Sequence, residues 1–512
     1  MAAPGDAAIA EKEPYAEPAQ HAGRVGVVDI GSNTVRLVVY EAPTRLPIPV
    51  FNEKAQCALG RGIASTGKLN PNGVTEALRS VRRFVRLAAA IGVDRLEMVA
   101  TAAVRDADDG MAFTRRVERA CGLPVHVLSG AEEARLAAVG LLSGVPDADG
   151  VLGDLGGGSL DLVGLNQGTI GEYAALPLGH LRLAEDSGGD HAKARKILDD
   201  QLSTVPWLGE MGGRAIYAVG GSWRALARVL IDQTHHPLHV IDNYTIGFFD
   251  ALRLANLVAG LSQSTLDRLS GVAKNRVETL PYAAMALAAL LELAKPREVV
   301  FSGFGMREGQ MLELLPEDLR HQDPLISACE SQAERTGRFA IRGRELLDWM
   351  TPLFASETDE ERRLRHAACL LSDIGWSEHP DYRAVHAYHR VLRIPYAGLT
   401  HETRVQLALS VLVRYNGACS YNGDVDDPMV APVHNLLDDA ELERSRIVGL
   451  ALHLAHTLVG SAPGLLSQTQ LKVTKTRLTL ELPKDRAVFL GEAVERRLRT
   501  LARAMDLKER IG

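Results

Sequence analysis

Aromatic residues make up only 5% of this 512-residue chain, and cysteine is rarer still, with five in all. Cys57, Cys121, Cys329, Cys369 and Cys419 are odd in number, widely scattered and never in a CxxC pair. That spacing argues against a disulfide framework and a thiolate zinc site, and predicts reduced structural thiols. No run approaches 18 consecutive apolar residues, so no membrane-spanning helix is expected. The first 23 residues hold neither a basic leader nor an apolar stretch, which predicts no secretory signal and a cytoplasmic chain. No Gly-Lys-Ser/Thr follows the glycine-rich turns, so they are not Walker A loops. An excess of positive charge is missing too: the formal net charge of -7 speaks against a nucleic-acid coat and leaves local anion sites to be judged from local clusters.

What is present is apolar material, 46% of the chain, enough for about three domains with cores of their own. Residues 1–23, rich in Ala, Glu and Pro, read as a disordered tail. From Arg24 to about residue 310, short apolar runs alternate with helical stretches, the pattern of an α/β fold. Expected strands are Val25–Ile30, Val35–Tyr40, Leu96–Ala100, Val125–Leu128, Val151–Leu155, Leu160–Leu165, Ile216–Val219 and Val299–Ser302. Asn70-Pro71 opens a helix with the apolar face Val74, Leu78, Val81, Val85 and Ala88. Beyond about residue 325 helical patterns dominate, with one late strand expected in Val473–Leu482. The division that follows is a tail over 1–23, lobes over 24–145 and 146–320, and a mainly helical region over 321–512.

One unit occurs twice. VGVVDIGSNTVRLVVY (25–40) and VLGDLGGGSLDLVGL (151–165) each give a strand, an Asp, a turn of small residues and a second strand. The amides of Gly31, Ser32, Asn33 and Thr34 form one candidate phosphate nest, and Gly156, Gly157, Gly158 and Ser159 form another. Gly220, Gly221 and Ser222 open a helix after a further strand, a third candidate anion site. A phosphoanhydride hydrolase needs a group to activate water, a metal to neutralise the phosphoryl group and cationic donors around it. Glu133, in the adjacent pair Glu132-Glu133, is the candidate for the first role. Asp154, Asp29 and Asp161 are candidate Mg²⁺ ligands, and Arg105 a candidate phosphate clamp. Arg79, Arg82, Arg83 and Arg86 share one helix face, either a solvated surface or a track for a polyanion.

Taken in order, VDIGSNTVRLVVY, ATAAVRDA, SGAEEARL, GDLGGGSLDL, PLGHLRL, AVGGSWRAL and FSGFGMREG resemble the motif series of the exopolyphosphatase and guanosine pentaphosphate phosphohydrolase family. The resemblance implies two duplicated actin-like lobes, of the type found in sugar kinases and heat-shock ATPases, with a phosphate cleft between them. It implies Mg²⁺ dependence, Glu133 as the water-activating residue, and a homodimer. It places Asn33, Arg105, Asp154, Gly156, Ser159 and Asp161 on phosphate- and metal-handling positions. Asp161 stands where the family usually carries glutamate and reaches one methylene less. The C-terminal region is similar to the HD phosphohydrolase fold, but Ser372 stands where a metal-binding histidine would precede Asp373. His366, His379, His386, His389 and His401 therefore read as structural.

The expected activity is hydrolysis of terminal phosphate from inorganic polyphosphate. Guanosine pentaphosphate is the alternative substrate, and a kinase or a silent phosphate sensor of the same fold is the alternative class.

Overall fold

The computed structural model describes residues 23–41, 45–46, 48–269, 272–336, 343–416, 431–462, 464–483 and 489–512. Cys419 and, apart from Gly23, the expected tail over 1–23 lie outside the described residues.

The first lobe is a five-stranded sheet of β1 (Arg24–Ile30), β2 (Thr34–Glu41), β3 (Pro49–Gln56), β4 (Val93–Ala100) and β5 (His126–Val127), in the order β3-β2-β1-β4-β5. β1 is central, antiparallel to β2 and parallel to β4. It is covered on both faces, so it reads as a nearly continuous apolar run, with Val27, Val28 and Ile30 fully buried. The helices α1 (Pro71–Ile91), α2 (Ala102–Asp106) and α3 (Gly110–Cys121) surround it, while α4 (Gly130–Leu142) packs Leu136 against Val27 and Ala134, Ala137 and Ala138 against Leu152 and Val163 of the second lobe. Asn70 caps α1 through its side chain, Pro71 occupies the first turn, and Gly92 ends the helix at φ 76°. The core face of α1 differs from the expected stripe: Ala77 and Phe84 are buried beside Val74, Val81 and Ala88, whereas Leu78 and Val85 are only half-buried.

The second lobe repeats the plan. Its sheet runs β10 (Tyr244–Gly247), β11 (Glu298–Phe301), β9 (Ala215–Val219), β6 (Gly150–Leu155), β7 (Leu160–Asn166) and β8 (Thr169–Leu176). The β6–β7 hairpin corresponds to β1–β2, and β9 joins β6 in parallel as β4 joins β1. Its helices include α5 (His180–Ser187), α6 (Gly221–Gln233), α7 (Leu280–Ala294) and α8 (Met306–Glu313).

Helix α8 reaches back to the first lobe. Met311 is buried in a cluster with Val27, Val38 and Leu136 of the first lobe. The approach of α8 to α4 is set by glycine: a Cβ at Gly140 would lie 2.0 Å from Gly305 O, and one at Gly309 would lie 1.9 Å from Leu136 O. Gly140→Ala and Gly309→Ala each force the helices apart and should cost about 1–3 kcal/mol. A lowered urea midpoint checks this, and an unchanged midpoint contradicts it.

The C-terminal region is mainly helical, with α9 (Asp359–Leu371), α10 (His401–Asn416), α11 (Asp439–Val459) and α12 (Glu492–Ala504) among its elements. The single late strand expected over 473–482 is instead parts of two, β12 (Gln470–Val473) and β13 (Arg477–Glu481), reversing between them, and β14 (Lys508–Ile511) completes a three-stranded sheet. Leu46 of the first lobe and Leu238 of the second are buried inside the C-terminal core. His236 Nε2 also meets His401 Nδ1 at 2.6 Å. Where an HD metal site would stand, Ser372 Oγ is 3.0 Å from His456 Nε2, and Asp373 accepts from Arg414 Nη2 at 2.9 Å. No group of three or more His, Cys, Asp or Glu suited to a metal occurs among the described residues. The four described cysteines are free. No helix among the described residues is long and apolar enough to cross a membrane.

Candidate active site

The two hairpin turns close in the same way: Gly31 N donates to Thr34 O at 3.0 Å, and Gly156 N donates to Ser159 O at 3.0 Å. They also face each other across the lobes. A Cβ at Gly157 would lie 3.1 Å from Ser32 Cβ, and one at Gly158 would lie 3.1 Å from Ser32 Oγ. Between them opens a cleft of about 710 Å³. Gly31 through Thr34, Gly156 through Ser159, and Gly220 through Ser222 all line it, as do Asp29, Glu133 and Asp154. Gly220, at φ 100°, has room for no side chain, because a Cβ there would lie 2.7 Å from Asp154 Oδ1.

The adjacent glutamates part company at the start of α4. Ser129 caps the helix, and Glu132 closes the capping box by accepting from Ser129 N at 2.8 Å. The bonds from Ser129 hold the Glu132 carboxyl down at about 2. Glu133 turns into the cleft, where only 13% of its side chain is exposed, and accepts from Arg105 Nη1 at 3.0 Å. Burial lifts its carboxyl to about 7 against the pull of Arg105. Burial likewise lifts Asp154 to about 6 and raises Asp29 above the usual carboxylate range.

Two expected site residues sit outside the lining. Arg105, on α2, donates to Glu133, Leu128 O and Asp106, and its side chain stays 25% exposed. Asp161 lies opposite Asp154 across the β6–β7 hairpin but is 2% exposed, with Oδ2 accepting from Ser159 Oγ at 2.9 Å. Its Oδ1 is buried without a hydrogen-bond partner, and burial raises its pKa well above the carboxylate range.

The sequence reading missed the cationic wall. Arg36, Lys54, Arg224, Arg228, Arg276 and Arg307 all line the cleft, and none forms an ion pair among the described residues. Arg36 stands opposite Asp29 in the β1–β2 register, and Arg276 Nη1 donates to Ser222 Oγ at 2.7 Å. Burial and the neighbouring guanidinium groups of Arg307 and Arg224 lower Arg36 to about 10. Lys54, Arg224 and Arg276 are lowered as well, first by burial and then by a neighbouring guanidinium: Arg276 beside Lys54, Arg307 beside Arg224 and Arg228 beside Arg276. Cations in excess over the carboxylates beside them suit a polyanion. His180, also in the lining, is kept neutral by burial, its pKa falling to about 3.

The lobes are tied beside the turns. Glu185 on α5 accepts from Gly62 N with both oxygens at 3.0 Å, and Arg182 reaches Asp106 at 3.3 Å.

Residues 38–318 match the Ppx/GppA phosphatase family, and residues 325–510 match the exopolyphosphatase C-terminal domain. The chain belongs to the Ppx/GppA phosphatase family. Its two mixed sheets are followed by the helical C-terminal region. Among the relatives of this Ppx/GppA protein, retrograde regulation protein 2 of Saccharomyces cerevisiae is 24% identical over 443 residues, covering 77% of this chain and 72% of the relative. Exopolyphosphatase 1 of Mycobacterium tuberculosis is 29% identical over 313 residues, 58% of this chain and 89% of the relative. In fold, the chain is similar to the crystal structure of an exopolyphosphatase from Cytophaga hutchinsonii, with a TM-score of 0.52 and 22% identity over 57% of this chain and 99% of that one.

Proposed function

We propose that this Ppx/GppA protein is an exopolyphosphatase, releasing orthophosphate from the end of inorganic polyphosphate by attack of a water activated by Glu133. The observation that carries the reading is the composition of the cleft: six cations without ion-pair partners among the described residues, and three glycine turns, surround a glutamate whose carboxyl is tuned to about 7. Among the described residues no Phe, Tyr or Trp lines it, and the His180 imidazole is the one ring there. A phosphate chain needs only repeated anion contacts, whereas a guanine base would gain from a stacking platform, so the lining favours the polymer over guanosine pentaphosphate.

The terminal phosphate sits between the two hairpin turns, whose amides are its donors, and the remaining chain runs along the arginine wall. Glu133, held by Arg105, accepts the proton of the attacking water. Asp29 and Asp154 make no hydrogen bond to described residues and face the same cleft, a donor set of two carboxylates suited to Mg²⁺, which takes its other ligands from water and substrate phosphates. Bound there, Mg²⁺ would neutralise charge on the transferred phosphoryl group. Asp161, opposite Asp154 in the hairpin, lies outside the lining and accepts from Ser159.

Phosphate release from polyphosphate, guanosine pentaphosphate and ATP, measured side by side, tests the assignment. The highest kcat/KM is expected on polyphosphate, and release from pentaphosphate alone would overturn it. A second test concerns pH. The base works ionised, so the rate rises as pH passes upward through the pKa of Glu133. Arg105 lowers that pKa, hence Arg105→Met should move the acid limb of the kcat profile to higher pH. An unmoved limb would mean that Glu133 is not the titrating base.

A further inference from the structure

On the first lobe, on the side of the sheet packed by α1 and away from the cleft, lies a second concavity of about 620 Å³. Arg79, Arg82, Arg83 and Arg86 of α1 and Arg116 of α3 line it, with Leu78 contributing at its base. The α1 arginines span eight residues, roughly 10 Å of helix, on one face. Arg79 is braced by Glu76 at 2.8 Å, and Arg83 by Glu53. Arg82, Arg86 and Arg116 are exposed and have no ion-pair partner among the described residues. Three unneutralised guanidinium groups converging on one groove repel one another, and an anion relieves that repulsion.

The groove and the cleft are joined by one strand. β3 is the edge of its sheet, and its successive side chains point to opposite faces. Lys54 therefore lines the cleft while its neighbour Glu53 meets Arg83 at the groove. A polymer leaving the cleft past Lys54 has only this edge to cross before it meets the arginines. The groove contains no aromatic side chain, so it offers phosphates a partner and nucleobases no platform.

We propose that the arginine groove on α1 and α3 is a second binding site for inorganic polyphosphate, which holds the distal part of a long chain whose end is in the cleft. This rests on the reading of the cleft as a polyphosphatase site. Bound at two points, a long chain gains effective concentration at the cleft, and a chain too short to reach the groove gains nothing.

The test is the triple variant Arg82→Gln/Arg86→Gln/Arg116→Gln, assayed on tripolyphosphate and on polyphosphate of several hundred units. KM for the long chain should rise by about tenfold or more, with kcat and the tripolyphosphate kinetics unchanged. Arg95→Gln/Arg115→Gln/Arg119→Gln removes the same charge elsewhere on the lobe and should leave KM for the long chain where it was. An active wild-type enzyme with no KM change in the triple variant, or an equal change in the control, overturns the groove. A wild-type enzyme that cleaves neither substrate refutes the cleft reading instead. In that case direct binding of labelled long polyphosphate decides the groove, which stands if the triple variant alone loses binding and falls otherwise. Single-stranded RNA of matched length competing as well as polyphosphate would overturn its assignment to a phosphate chain.

Discussion

Glu133→Gln is expected to lower kcat by about 10²- to 10⁴-fold, the usual worth of a positioned general base. The amide keeps the size of the side chain and can still bond to Arg105, so the fold and the cleft should persist. It removes a negative charge from beside the substrate phosphates, so direct binding of polyphosphate should stay level or tighten. Glu132→Gln is the internal control. Glu132 is spent on Ser129 at the helix start, and its loss should cost stability at the cap and little in turnover. Phosphate release and substrate binding on both variants decide the matter. A dead Glu132→Gln beside a near-normal Glu133→Gln would reverse the assignment, and two active variants would remove the pair from catalysis.

Excess EDTA is expected to abolish turnover, with activity returning on added Mg²⁺. Asp154→Asn should raise the Mg²⁺ concentration for half-maximal rate by on the order of 10-fold or more, and high Mg²⁺ should recover part of the rate. The carboxylates that face the cleft are Asp29, Glu133, Asp154 and Glu308, against six cations, so the site keeps a positive surplus for an anionic substrate. Full activity in EDTA would exclude the metal, and an unchanged Mg²⁺ dependence in Asp154→Asn would remove that residue from its binding.

The duplicated hairpins could be read from sequence because both are central strands with apolar runs on either side of a glycine turn. The strands that escaped notice are the edge strands β3, β8, β10 and β14. β3 reads PVFNEKAQ, and its exposed alternate positions carry Asn52 and Lys54, so polarity hides the strand. Five of the eight residues of β8 between Thr169 and Tyr173 are exposed, which hides it in the same way. The cationic wall was illegible for another reason: Arg36, Lys54, Arg224, Arg276 and Arg307 come from five separate segments and meet only through the sheet topology. Arg36 did leave a sign, a charge inside the apolar strand TVRLVVYE. Arg105 could be picked out as a candidate from its place after a strand, but nothing in the sequence indicated that its guanidinium would donate to Glu133. For the C-terminal sheet, the alternation through Val473–Leu482 was visible and the reversal at 474–476 was not, since no glycine or proline marks it.

The burial of Leu46 and Leu238 within the C-terminal core has a consequence for biosynthesis. Leu46 leaves the ribosome nearly 280 residues before the first of the helices that cover it, those beginning at Pro324. At about 5–20 residues per second, that segment stays uncovered on the order of tens of seconds. The nascent chain therefore carries an apolar surface that its own front lobes cannot hide, a target for chaperones and for proteases until synthesis is almost complete.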